Sequence, residues 1–114
     1  MKIINNPFDT IIQAVEELYP NTHALIQFNP ELRGRDYGEC GCTTFPTNPD
    51  EEILIDISTN IPFIHMPEIL AHELAHVVVG TNEENDHGDK WQEVFDAIHV
   101  KYEELVDFAE KEYS

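Results

Sequence analysis

The chain has 114 residues, 41% of them hydrophobic, 10% aromatic and 25% charged, which predicts a single ordered domain over 1–114 and no second one. Its 23 Asp and Glu stand against 6 Lys and Arg, a formal net charge of −17. A surface that negative repels phosphate backbones and anionic lipid, so direct nucleic-acid binding is disfavoured, and cations, basic proteins or a metal ion are the partners it suits.

The N-terminal MKIINNPFDT has no apolar core or small-residue cleavage site, and no run of about 18 apolar residues occurs. Cys40 and Cys42, the two cysteines, stand one residue apart and form no disulfide framework. A soluble, cytoplasmic protein with no membrane contact is expected.

Asn6 and Pro7 supply an N-cap and a first-turn residue. Phe8, Ile11, Ile12, Val15, Leu18 and Tyr19 then recur at the spacing of an amphipathic helix, which Pro20-Asn21 ends. The short apolar run between Thr22 and Asn29 predicts a strand, and Arg33-Gly34-Arg35 a turn or bulge. Tyr37 to Phe45 reads as an irregular or edge strand, because two glycines weaken it while aromatic and Thr residues favour it.

Pro46 to Glu52 is a loop by composition, and Ile53 to Ser58 is the clearest strand, with Ile53, Ile55 and Ile57 on one face and Leu54, Asp56 and Ser58 on the other. After the turn at Asn60-Ile61-Pro62, Pro67 opens a helix that runs through Val79 and stops at Gly80. Thr81 to Gly88 reads as a loop. From about Asp89 a long helix carries Trp91, Val94, Phe95, Ile98, Tyr102, Leu105 and Ala109 on one stripe, with most of its carboxylates elsewhere. The order is helix, three strands, helix, loop, helix, and the fold class is α+β.

Within the Pro67–Val79 helix lies His72-Glu73-Leu74-Ala75-His76, an HExxH sequence. Residues four apart on an α-helix are turned by only about 40° and displaced by about 6 Å, so both imidazoles leave one face and can grip one zinc ion. Glu73 points into the same site, where it can take a proton from a zinc-bound water, whose pKa the metal lowers towards about 7, and pass it to a leaving amine. The chemistry implied is peptide-bond hydrolysis. A buried structural histidine pair is the alternative.

A catalytic zinc has three protein ligands and one position for water. His87, in the loop after the helix, is the leading third ligand, since imidazole suits zinc and the chain turning at Gly80 can fold back over the metal. Glu93, Asp86 and Asp89 are the other options. Continuation of the motif as His-x-x-Gly-x-x-His fails, because Asn82 stands six residues beyond His76.

The run HELAHVVVGTNEENDHGDKWQEVF resembles the SprT-like zinc metallopeptidases, in which HExxH is followed by a loop and a His-Gly-x-x-aromatic signature, here His87-Gly88-Asp89-Lys90-Trp91. The resemblance covers about 25 residues in motif, and the upstream order also looks like the minimal zincin layout: N-terminal helix, three-stranded mixed or antiparallel sheet, HExxH helix, and a C-terminal helix closing the site. It implies zinc on His72, His76 and His87, with Glu73 as general base and acid. Longer members of the family often add a zinc ribbon or other DNA-binding segment, and those that cleave DNA-crosslinked proteins need a basic surface that this composition lacks.

The expected function is therefore a zinc metallopeptidase acting on peptides or unfolded protein segments, with a preference for basic substrates. Two other classes compete: a catalytically silent zinc-binding module, which would tolerate loss of Glu73, and an acidic nucleic-acid mimic, which would act without metal. Three lesser expectations accompany these. The Cys40/Cys42 pair could bind metal, or block the catalytic zinc as a latency device, although ordinary thiols are the simpler reading. Tyr37, Tyr102 and Tyr113 are the candidates to stabilise an oxyanion. The strand YGECGCTTF could receive substrate as an added strand. His23, His65 and His99 are read as surface or core residues rather than ligands.

Overall fold

The computed structural model describes residues 1, 3–80 and 88–113, with the backbone alone at 37 and 109–113. Three α-helices and a three-stranded mixed sheet make an α+β architecture: α1 Pro7–Leu18, β1 Leu25–Asn29, β2 Gly41–Thr44, β3 Leu54–Ser58, α2 Met66–Val79 and α3 Asp89–Tyr113. Short 3₁₀ turns at Tyr37–Glu39 and Phe63–His65 precede β2 and α2. No helix among the described residues is long and apolar enough to cross a membrane.

Local chemistry sets the helix ends. The Asn6 side chain accepts a hydrogen bond from the Phe8 amide at 3.0 Å, so the expected cap starts α1 one residue before Pro7. At the other end of the helical layer, α2 stops where Gly80 takes φ of +85°, a conformation costly for any residue with a side chain, and the Gly80 amide closes on the His76 carbonyl at 2.9 Å. The Phe63–His65 turn was not anticipated. It follows Pro62, whose fixed φ suits a turn start, and it carries the chain into α2.

The sheet order is β1-β3-β2, with β1 parallel and β2 antiparallel to β3. Of the segment read as a strand from Tyr37 to Phe45, only Gly41–Thr44 pairs, and Tyr37–Glu39 coils instead into a 3₁₀ turn. The expected edge position is observed: β2 pairs with β3 on one side and with no strand on the other among the described residues.

The alternation expected for β3 is overridden, because Asp56 and Ser58 are buried as well as Ile55 and Ile57. The segment after β1 covers the second face. The Ser58 hydroxyl donates to the Leu32 carbonyl at 2.7 Å, and the Asn60 amide group donates to the carbonyls of Pro30 and Leu32. Asp56 accepts from Gln27 at 2.6 Å on the parallel neighbour β1, so its burial is compensated by a hydrogen bond.

α2 is the element on which the others converge, packing on β2, β3, α1 and α3. Its buried residues lie all around its circumference, as a helix enclosed by protein requires. The core joins Ile11 and Val15 of α1, Ile55 and Ile57 of β3, Ile69, Leu70 and Leu74 of α2, and Trp91, Val94 and Ile98 of α3. The α3 stripe is therefore as expected over its first half. Ile98, fully buried, ties α3 to that core. Truncating Ile98 to Ala is expected to cost about 2–5 kcal/mol of stability, measurable as a lower urea midpoint at unchanged slope.

Candidate functional site

The HExxH residues occupy the middle of α2. His72 and Glu73 are buried, and His76 is partly so. The two imidazoles lie edge to face with centroids 5.0 Å apart. That separation matches the roughly 5 Å between the centroids of two imidazoles that share one tetrahedral zinc through bonds of about 2.1 Å.

α3 builds the wall beside them. Trp91 packs against both rings, at 4.8 Å from His72 and 5.6 Å from His76, and its indole N–H donates to the His72 carbonyl at 3.3 Å. Phe95 stacks on Trp91 at 5.0 Å with the planes only 12° apart. One turn of α3 separates Trp91 from Phe95, which puts both rings on the stripe facing α2. The role expected for Trp91, as anchor of the last helix on α2, is the one it occupies.

Glu73 faces the sheet. One carboxylate oxygen, Oε1, accepts a hydrogen bond from the Thr43 hydroxyl of β2 at 2.7 Å, while Oε2 lies 3.8 Å from His72 Nε2. The side chain is 9% exposed. Burial pushes the carboxyl above the usual range, and the Thr43 hydrogen bond offsets part of that rise.

β2 comes this close because Gly41 has no side chain: a Cβ there would stand 2.6 Å from Ile69 Cγ2 and 3.2 Å from Glu73 Cγ. Gly41 and Thr43 thus share the face of β2 turned to α2, and strand alternation turns Cys42 the opposite way. Cys40 donates its thiol to the Asp36 carbonyl at 3.2 Å, and burial, then Asp36 and Glu39, raise its pKa. Neither observation joins the cysteines to the imidazoles.

Of the proposed third ligands, His87 and Asp86 lie outside the described residues. Asp89 and Glu93 are exposed on the first turns of α3, and Glu93 acts on Tyr19 of the α1 end, where burial first and this carboxylate second raise the phenol. Among the described residues no three His, Cys, Asp or Glu side chains converge as a metal-holding group. His99 sits beside Phe95 and 3.7 Å from Glu103, and His65 is exposed at the end of its 3₁₀ turn. His23 lines a surface cavity of about 210 Å³ with Glu16 and Glu52.

Tyr102 lies eleven residues beyond Trp91, about 16 Å along α3, and so is remote from the imidazoles. The side chains of Tyr37 and Tyr113 lie outside the described ones.

Thr43 and Gly41 are the site residues that sequence reading missed. Strand alternation puts them on one face, but nothing local says which face meets α2.

Comparison with protein-family models, with curated proteins and with solved structures returns no match. The geometry of α2, β2 and α3 is therefore what bears on function. Its tightest point can be tested directly: Gly41→Ala is expected to lose about 1–3 kcal/mol by forcing β2 off Ile69 and Glu73, read as a lower urea midpoint than that of the parent.

Proposed function

We propose that the protein is a zinc-dependent metallopeptidase of minimal zincin layout, cleaving peptides or unfolded protein segments, with His72, His76 and His87 holding the metal and Glu73 acting as general base and acid. The observation that carries this reading is the placement of Glu73, a buried carboxylate beside two paired imidazoles with one oxygen bound by Thr43 and the other turned towards His72. A purely structural histidine pair, or a silent zinc module, has no need of a carboxylate there, and burying one is costly.

For the third ligand His87 is retained. It directly precedes Gly88, and the helix that follows lays Trp91 on both imidazoles. Zinc bound at this position would lower the pKa of a water to about 7 and polarise the scissile carbonyl. Glu73 would take the proton of the attacking water as its oxygen bonds to the carbonyl carbon, then deliver that proton to the amine nitrogen as the C–N bond breaks. The aromatic wall of Trp91 and Phe95 excludes solvent from one side of the imidazoles, which strengthens electrostatic interactions within the site.

The edge of β2 that no described strand pairs with, next to Glu73, suits an extended peptide that adds as a strand through main-chain hydrogen bonds. The −17 net charge favours basic segments, and added salt weakens that preference.

Three measurements test the reading. Zinc is expected to bind one per chain, to shift the emission of Trp91, the single tryptophan, and to raise the unfolding midpoint, all reversed by chelation. His72→Ala, His76→Ala and His87→Ala are each expected to weaken zinc binding, and unchanged affinity in the His87 variant would move the third ligand elsewhere. Glu73→Gln is expected to keep its zinc and lose hydrolysis of an unfolded protein by about 100-fold or more. Parental cleavage by that variant would sink the mechanism.

A further inference from the structure

Thr43 is not part of any motif in the sequence, yet its hydroxyl donates a short hydrogen bond to the Glu73 carboxylate. The O–H lies 2.7 Å from Oε1 and 3.5 Å from the Glu73 main-chain carbonyl. A hydroxyl has one proton to give, and the shorter distance assigns it to the carboxylate. Thirty residues separate the two positions, so the contact exists only because β2 lies along α2.

Gly41, two residues earlier on the same face, leaves the space into which Glu73 fits, with a would-be Cβ 3.2 Å from Glu73 Cγ and 3.3 Å from Oε2. The carboxylate is thereby fixed at both levels. Its methylene stem is confined against the strand backbone at Gly41, and its head is tied to Thr43. A glutamate left unrestrained would sample several rotamers, a freedom that this arrangement removes before any substrate arrives.

On this basis we propose that Thr43 is a positioning residue for the hydrolytic reaction, holding Oε1 of Glu73 so that Oε2 stays on the side of His72 to accept the proton of the attacking water. The inference rests on the metallopeptidase reading and deepens it. Thr43 acts through Glu73 and touches neither substrate nor metal. It also connects the two functions proposed for β2: the main chain of the strand receives the substrate at its outer edge, and a side chain of the same strand sets the base. Base and scissile bond are then registered to one element, so a shift of β2 moves both together.

The test compares wild type, Thr43→Val, Thr43→Ala, Thr43→Ser and Glu73→Gln, each loaded with zinc and checked for metal content and unfolding midpoint. Loss of a hydrogen bond that orients a group at a metal site lowers activity by about 10–100-fold. Thr43→Val is expected to lose kcat on that scale with KM and zinc content unchanged, and Thr43→Ser, which restores the hydroxyl, to recover most of it. Should valine not fit beside Glu73, Thr43→Ala removes the hydroxyl without adding bulk and carries the same expectation.

A second readout does not depend on turnover. In zinc-free protein labelled with carbon-13 at the glutamate carboxyls, the Glu73 signal, identified by its absence in Glu73→Gln, is expected to move in Thr43→Val and return in Thr43→Ser.

Parental kcat in Thr43→Val and Thr43→Ala, with Glu73→Gln inactive, would overturn the positioning role and leave the peptidase reading standing. An unmoved carboxyl signal would overturn it as well. Parental cleavage by Glu73→Gln would remove the peptidase reading, and the catalytic role of Thr43 with it.

Discussion

The interaction on which the rest of this structure depends is the burial of the Glu73 carboxylate between α2 and β2. A carboxylate removed from water without a partner costs at least about 1–3 kcal/mol, and more when ionised. The fold compensates with the Thr43 hydroxyl, which donates to Oε1 at 2.7 Å. That compensation requires β2 to lie on α2, which requires glycine at 41. The same close approach sets Ile69 of the apolar core against the strand, so the polar contact and that part of the core are two results of one packing decision. Enclosing α2 on its remaining sides then falls to α1 and α3, with Trp91 sealing the turn that holds both imidazoles.

Much of the helical framework was legible in the sequence because the forces that define it are local. Asn6 before Pro7 states where α1 begins, Gly80 after Val79 states where α2 ends, and both do so through hydrogen bonds within a few residues. Strand chemistry is less local. Tyr37 to Phe45 has the composition of a strand throughout, yet only Gly41–Thr44 finds a partner, since pairing is set by β3 and not by propensity. β3 shows the same limit from the other side. Its alternation predicts one wet face, yet Ser58 is bonded to the segment after β1 at Leu32 and Asp56 to Gln27 of β1, and both are buried.

The candidate site divides along the same line. His72, Glu73 and His76 can be read together because helical periodicity alone puts them on neighbouring positions of α2, and Trp91 could be named as the α3 anchor from its place at the head of an apolar stripe. Thr43 and Gly41 carry no such signal. Their relation to Glu73 spans some thirty residues and depends on which face of a four-residue strand turns to the helix, a choice fixed only when the sheet docks. The cysteines illustrate the converse: a residue pair conspicuous in sequence finds no link to the imidazoles, because the alternation that brings Gly41 and Thr43 to the helix turns Cys42 away from it.

The net charge of −17 takes on a different weight once the carboxylate is placed. Much of it sits on exposed helix faces, where water and salt screen it, and Lys101 bridges Glu17 of α1 and Glu104 of its own helix across the one seam where the two faces meet among the described ion pairs. Such surface pairs contribute little to stability. At Glu73 it is burial that disfavours a negative charge, and the Thr43 hydrogen bond offsets part of that effect. A divalent cation beside Glu73 would reverse the local balance, favouring the ionised carboxylate that a general base requires. On the proposed reading, then, the acidic surface would attract basic substrate and cation alike, and His72 and His76 would hold that cation where it favours the ionised form of Glu73.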